Sequence, residues 1–350
     1  MREIFAGFRP RAGFNFLWPG QRVLPDLRLL TESPPDVIND VEQRVRPLYV
    51  RTTKEQLELP ELILRPIGVN LGPLQRELYE LLRSEAARAA AGMSSRDRRF
   101  LRRLGRHVVR LIEAATNPML LTHAGLVDPA SPDAFPQGTR AWELLRELAR
   151  SEQPAKIERA IALAEAAIER GEKVLIWSGF VMNILALERL LEEHNPVVLF
   201  GQVPTGEEED PETREGRIRR FHEDPACRVM IANPAAAGEG ISLHRACQYA
   251  IYLDRNFNAA HFLQSVDRIH RLGSDRPSRV DVLEARGTID TRIAERLGAK
   301  INAMALILND EGLRALAYDP EDVVEEFEGG IELDDIEQIV NHLSGEEGDS

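Results

Sequence analysis

From about residue 153 to residue 308, short apolar runs alternate with longer amphipathic ones. The apolar runs are Val174–Trp177, Val197–Phe200, Arg228–Ala232, Tyr249–Asp254 and Arg279–Glu284. Each is too short for a typical helix and most are rich in β-branched or aromatic residues. Between them lie stretches of helical period at about 156–170, 181–193, a segment ending near Glu223, 259–271 and 288–308. Strands buried on both faces read as continuous apolar runs, and strands separated by helices return to the sheet in the same direction. The alternation therefore predicts an α/β fold, a parallel sheet with helices on both faces.

The chain before this region is different. Residues 1–43 are rich in Pro, Gly and aromatics without a clear period, which reads as irregular structure or the edge of a larger preceding domain. Residues 44–150 read as a helical segment with a linker. Two helices are expected, from about Leu74 to Ala91, where Leu74, Leu78, Leu81 and Leu82 recur at helical spacing, and from about Arg96 to Ala115. The second carries Arg96, Arg98, Arg99, Arg102, Arg103, Arg106 and Arg110. That row reads either as a patch for nucleic-acid phosphates or as arginine stems laid over apolar surface. Residues 125–139, rich in Pro and Gly, read as linker, 151–310 as the sheet-bearing lobe, and 311–350 as an acidic tail. In that tail Ile336, Ile339, Val340 and Leu343 have the spacing of a small docking helix, and a solvated tail is the alternative.

The net charge of −13 argues against nucleic acid only until it is located. Residues 319–350 hold 13 acidic residues and no Lys or Arg, which leaves 44 acidic against 44 basic residues in the rest. What matters is where the basic residues cluster. No apolar run reaches the length of a membrane span, and the N-terminus lacks the apolar core of a secretory signal. Cys227 and Cys247 form no CxxC pair, and the histidines show no metal-ligand spacing. These features predict a cytoplasmic protein with reduced thiols, no protein-bound metal site and no membrane partner.

The sharpest chemical signal is Gln264-Ser-Val-Asp267-Arg268-Ile-His270-Arg271-Leu-Gly273. On a continuous helix Gln264, Arg268 and Arg271 would stand at i, i+4 and i+7 on one face. Two guanidinium groups there make a fork of permanent positive charge, suited to the charge that spreads over γ-phosphate oxygens during phosphoryl transfer. Upstream, Asn233-Pro-Ala-Ala-Ala-Gly238-Glu239-Gly240-Ile241-Ser242-Leu243 follows a strand, where glycines let a backbone approach a ligand closely. Asp254-Arg-Asn-Phe257-Asn258 ends the next strand. In an open parallel sheet, ligands bind at the carboxyl ends of strands, and all three segments are expected there.

The ordered segments VLIWSGF (174–180), NPAAAGEGISL (233–243), YLDRNFN (252–258) and QSVDRIHRLG (264–273) resemble the second RecA-like lobe of Swi/Snf-type, superfamily-two helicase-like DNA translocases. Upstream, Arg51-Thr-Thr-Lys54 with Leu59-Pro60 resembles the family's RRxK…LP stretch. Leu74-Gln75-Arg76 with Tyr79 resembles its Q-R-x-x-Y helix, and Leu111-Ile-Glu-Ala-Ala-Thr-Asn117-Pro118-Met-Leu its LRxxxNHPxL segment. The resemblance implies a RecA-like sheet, with Arg268 and Arg271 as arginine fingers and Gln264 and Asp267 as nucleotide contacts. It implies that Gly238 and Gly240 shape a loop joining the ATP cleft to the DNA track, and that Ser178 and Asn233 lie near the DNA backbone. Pro234 stands where the family usually has Thr, Phe257 where it has Trp, and Ser274 where it has Gln; Glu239 occupies a variable position.

The sequence contains no Gly-Lys dipeptide, so it has no Gly-x-x-x-x-Gly-Lys-Ser/Thr phosphate loop, and no Asp-Glu-x-His-type segment follows a strand. The resemblance places both in a first lobe. The expectation is an enzyme half that uses ATP with Mg²⁺, held mainly by a first lobe in the same longer protein or supplied in trans. Duplex DNA is the expected partner, and the chain alone is expected to be inactive. The alternatives are a non-catalytic DNA- or protein-binding module and an RNA-directed helicase lobe.

Overall fold

The computed structural model describes residues 59–91, 98–122, 135–236, 241–255 and 259–308. Residues 1–43 and the acidic tail, with its spaced Ile336, Ile339, Val340 and Leu343, lie outside the described residues, as do Arg51–Lys54 and Phe257.

Strand β1 (Leu62–Val69) is followed by helices α1 (Pro73–Ala91), α2 (Arg98–Thr116) and α3 (Arg140–Ser151). Then come α4 (Ala155–Glu169), β2 (Val174–Trp177), α5 (Val181–Leu190), β3 (Val197–Leu199), α6 (Arg214–Glu223), β4 (Val229–Ala232), β5 (Tyr249–Tyr252), α7 (Ala259–Val266), β6 (Ser278–Ala285) and α8 (Ile289–Leu308). The six strands form one parallel sheet in the order β1-β6-β5-β2-β4-β3. Every residue of β2, β3, β4 and β5 is buried, as the continuous apolar runs require. One face carries Leu175, Trp177, Met230, Val280 and Val282 beneath α7 and the second half of α8. The other carries Val174, Ile176, Val229, Ile231 and Ile251 beneath α4 and α5.

Strand β1 falls inside the stretch read from sequence as helical protrusion and linker, and no strand was expected there. Its sequence, LILRPIGV, carries Pro66 and Gly68, which weaken a strand signal. Proline is tolerated at a sheet edge, and β1 is an edge strand paired along its whole length with β6, from Leu62 opposite Ser278 to Val69 opposite Ala285. Arg65 reinforces the pairing with two bonds to Asp281, each 2.7 Å.

Helices α1, α2, α3 and the start of α8 share a third core of Leu78, Tyr79, Leu111, Leu144, Ile289 and Ile293. The Q-R-x-x-Y residues of α1 bolt this helical unit to the sheet. Gln75 Nε2 donates to the Ala114 carbonyl (2.9 Å), and its Oε1 accepts from Ala155 N (3.1 Å). Arg76 donates to the carbonyls of Arg286 and Gly287, and the Tyr79 hydroxyl accepts from Ile289 N at 2.6 Å. The Glu152 carboxylate caps α1 by accepting from Leu74 N and Gln75 N at 3.1 and 3.0 Å. A buried ion pair joins Lys156 in α4 to Asp290 in α8. On α2, Val108, Leu111 and Ile112 face the core; Arg106 is exposed and Arg110 lies 5.1 Å over Phe135, as an arginine stem covering apolar surface would.

One expected element is cut short. The sequence predicts a helix over 259–271, but α7 ends at Val266. Gln264, Arg268 and Arg271 therefore do not stand on one helical face. The chain tightens into turns, with Arg268 N bonded to Ser265 O (3.2 Å) and Ile269 N to Val266 O (3.1 Å). Long-range partners then fix the turns in place. The Arg268 carbonyl accepts from Leu243 N at 2.9 Å and the Ile269 carbonyl from Ser278 Oγ at 3.0 Å, so neither is turned toward residues 272 and 273 and the turns do not resume as helix.

Candidate functional site

The arginine segment is a pinned turn. Its helix is held from beneath by Ser265, whose Oγ meets the Tyr252 hydroxyl of β5 at 2.5 Å and donates to the Phe262 carbonyl at 2.8 Å. Beyond the helix, His270 Nε2 lies 2.7 Å from the Pro60 carbonyl, and Ile269 is buried in the core. Gln264 and Arg271 are exposed, and Asp267 and Arg268 are half-buried. The Arg268 guanidinium donates through Nη1 to the Ile241 carbonyl at 3.1 Å. Ile241 directly follows the glycine loop, so this contact ties Arg268 to the loop's exit. Gly238 and Gly240 themselves lie outside the described residues.

Burial, followed by the neighbouring Arg271, lowers the Arg268 pKa from its ordinary value. An arginine so placed stays charged and acts in a medium of lower dielectric than water. Burial, then Arg245 and Arg271, also lowers the pKa of His244. Its Nδ1 lies 2.8 Å from Ser242 Oγ, and a Cβ at Gly273, where φ is +94°, would stand 3.4 Å from its Nε2. Ser274 closes the turn: its Oγ accepts from Arg271 N at 3.2 Å.

A second constellation lies at the carboxyl ends of β2, β4 and β5. Buried Asp254 accepts from Ser178 Oγ at 2.5 Å and from Gly179 N at 2.7 Å. Asn233 Nδ2 donates to the Gly179 carbonyl at 3.0 Å, while its Oδ1 accepts from Ala235 N at 2.8 Å. Asn117, at the end of the helical unit, donates to Asn183 Oδ1 at 2.9 Å. Burial pushes the Asp254 carboxyl up from the usual range, against the Ser178 and Gly179 bonds and the field of Lys156, which favour the charged form.

A profile of the helicase conserved C-terminal domain matches residues 155–273, which span every segment just described from α4 to Gly273. The chain is 23% identical over 304 residues to the TATA-binding protein-associated factor BTAF1 of Arabidopsis thaliana, covering 77% of this chain and 14% of that protein. It is 34% identical over 143 residues to human lymphoid-specific helicase, covering 40% of this chain and 16% of that protein. The fold matches the C-terminal part of the Fun30 ATPase domain with a TM-score of 0.51 at 18% identity, covering 82% of this chain and 98% of that one. The Sulfolobus solfataricus SWI2/SNF2 ATPase core in complex with dsDNA matches with a TM-score of 0.50 at 19% identity, covering 81% and 56%. Residues 155–273 match the helicase conserved C-terminal domain, and the fold is shared with the C-terminal part of the Fun30 ATPase domain and with the Sulfolobus SWI2/SNF2 ATPase core. The chain spans 14% and 16% of the length of the two curated relatives named above.

Within this helicase lobe, two of the expected site residues are engaged by internal partners. Ser178 and Asn233 were expected beside a DNA backbone. They are 0% and 4% exposed, and their polar atoms are spent on Asp254, Gly179 and Ala235. These bonds position the loops after β2 and β4. Asp254 opens a segment expected at this end of the sheet, but its role in holding those loops, and that of Tyr252 and Ser265 in holding the arginine turn, were not expected from the sequence. Their signal was a polar residue next to a fully buried strand, where a hydroxyl or carboxylate must find a partner. Among the described residues no three His, Cys, Asp or Glu side chains gather as a metal-binding group, and no helix is long and apolar enough to cross a membrane.

Proposed function

We propose that this lobe supplies the arginine half of an ATP-hydrolysing site in a two-lobe motor driven along duplex DNA. The observation that carries the reading is the pinned turn itself: Arg268 seated on the exit of the glycine loop, with exposed Arg271 and Gln264 beside it. ATP would supply the transferable γ-phosphoryl group. Arg271, a planar and permanently charged fork open to solvent, would meet its oxygens. Arg268, fixed through Ile241, would contribute a second charge and transmit the state of the site to the glycine loop. Gln264 and Asp267 would bind beside them. Mg²⁺ would be held by the facing lobe, because the described residues gather no carboxylate group for it. The sequence has no Gly-Lys phosphate loop, so that cradle would come from a first lobe, in the same longer protein or in trans.

Opening and closing of the two lobes would step the motor along DNA. The Sulfolobus core that this fold matches is itself in complex with dsDNA, and a further relative is named for chromatin remodelling; both support duplex DNA as the track. Arg271→Ala in the assembled motor should lower DNA-stimulated ATP turnover by roughly 10³–10⁵, the range for removal of an arginine finger. Turnover unchanged in both Arg268→Ala and Arg271→Ala would remove this reading in favour of a non-catalytic module. Stimulation by RNA in preference to duplex DNA would redirect it to an RNA-dependent helicase.

A further inference from the structure

At the opposite end of the sheet, where β2, β4, β5 and β6 begin, lies a cleft of about 510 Å³. Its lining carries Arg170, Lys173, Arg228, Arg276 and Arg279 against the single carboxylate of Glu172. That carboxylate is shared, bonding Arg170 at 2.7 Å and Arg279 at 2.9 Å. Arg279 lies 3.8 Å over the Tyr249 ring, and its buried Nε has no hydrogen-bond partner among the described residues. Arg276 is 65% exposed and pairs with Asp275 at 3.5 Å; Arg228 spends one bond on the Gly171 carbonyl. Five cations against the carboxylates of Glu172 and Asp275 leave a net positive cleft, and an anionic occupant relieves the repulsion.

We propose that this cleft receives the acidic segment 319–328 of the same chain. That segment carries Asp319, Glu321, Asp322, Glu325, Glu326 and Glu328 and no Lys or Arg. The topology delivers it to the right edge. Helix α8 begins at the carboxyl end of β6, where Ile289 and Ile293 pack among α1, α2 and α3. It then runs back along the sheet, with Leu297, Ile301 and Ala305 in the core that holds Val280 and Val282. Its 20 residues cover about 30 Å, against about 26 Å for the strand it follows. Leu308 therefore ends at the edge where β6 starts and the cleft opens. Residues 309–318 can reach about 33 Å when extended, enough to pass round the sheet edge. A segment tethered this closely acts at an effective concentration of about the millimolar range, which favours it over a free polyanion. Docking at the cleft requires neither nucleotide nor DNA.

The test is fluorescence anisotropy of a labelled peptide of residues 319–336. It is titrated into the full chain in which Glu321, Glu325, Glu326 and Glu328 are changed to Gln, so that the chain's own segment competes weakly. Arg228→Glu with Arg276→Glu should weaken binding about tenfold or more, and Arg276→Glu alone by less, because reversed charges repel where the parent attracts. Arg228→Lys with Arg276→Lys should retain binding, and Arg106→Glu on α2 should leave it unchanged. Arg276 is exposed, so the single variant reads out even if the double variant folds poorly. Equal binding by Arg276→Glu and the parent overturns the proposal. So does loss of binding in Arg106→Glu, or a loss of duplex-DNA affinity in the cleft variants with peptide affinity intact.

Discussion

Replacing Asp254 separates its hydrogen-bonding role from its charge. Asp254→Ala removes the acceptor of Gly179 N and of Ser178 Oγ in a buried site. The Gly179 amide is fixed and would be left unpaired, at a cost of about 1–3 kcal/mol. The Ser178 hydroxyl can rotate and loses about 1 kcal/mol. Relief of the buried charge offsets part of this, because burial already disfavours the ionised carboxyl. The net expectation is a loss of about 2–3 kcal/mol. Asp254→Asn keeps a carbonyl for Gly179 N and turns an amide toward Ser178 Oγ, which can accept. It should cost less than about 1 kcal/mol, or stabilise. Urea denaturation of both variants at neutral pH measures the gap. The sign with pH follows from the raised pKa. Asp254 contributes most below the unfolded-state value of about 3.9, and its contribution falls as pH rises toward the folded value. The asparagine variant should therefore gain on the parent from about pH 4 upward. If the two variants agree within about 0.5 kcal/mol, Asp254 does not organise these loops through hydrogen bonds.

Tyr79→Phe removes the acceptor 2.6 Å from Ile289 N and should cost about 1–3 kcal/mol in thermal or urea unfolding; a neutral result would mean α1 is not bolted to α8 by this bond. Gly216→Ala should lose about 1–3 kcal/mol although helix propensity alone predicts a gain of about 1, because a Cβ there would stand 1.9 Å from the Asp210 carbonyl. Lys156→Ala should cost about 3–5 kcal/mol by leaving Asp290 buried and unpaired, whereas Lys156→Met with Asp290→Asn should recover much of that loss. Burial pushes the Cys247 thiol up to about 12, so thiol reagents at neutral pH should leave it unmodified in the folded protein, as mass spectrometry would show.

The sheet was legible because its central strands are buried on both faces and leave unbroken apolar runs, such as VLIW at 174–177 and VMIA at 229–232. Strand β1 was hidden because Pro66 and Gly68 disguise an edge strand whose pairing is settled by β6, more than 200 residues away. The helices at 73–91 and 98–116 were near their expected bounds, since leucine spacing reports a local period. The end of α7 was not legible. The periodicity of 259–271 continues, but from Arg268 N onward the chain tightens into turns whose carbonyls at Arg268 and Ile269 are held by Leu243 N and Ser278 Oγ, and such long-range partners leave no local trace. The same limit governs Ser178 and Asn233. A polar residue after a strand can face a ligand or a buried neighbour, and the internal partners seen here, Asp254 for Ser178 and Gly179 for Asn233, leave no local trace in the sequence.

The most direct test of the two-lobe account is duplex-DNA-stimulated ATP hydrolysis, measured for this chain alone and with a first lobe that carries a Gly-x-x-x-x-Gly-Lys loop, each with Arg268→Ala and Arg271→Ala controls. The account predicts no turnover by the chain alone, turnover with the first lobe, and loss of that turnover in both arginine variants. DNA-stimulated turnover by the chain alone that disappears with Arg271→Ala would contradict it, because the phosphate cradle would then lie within these 350 residues.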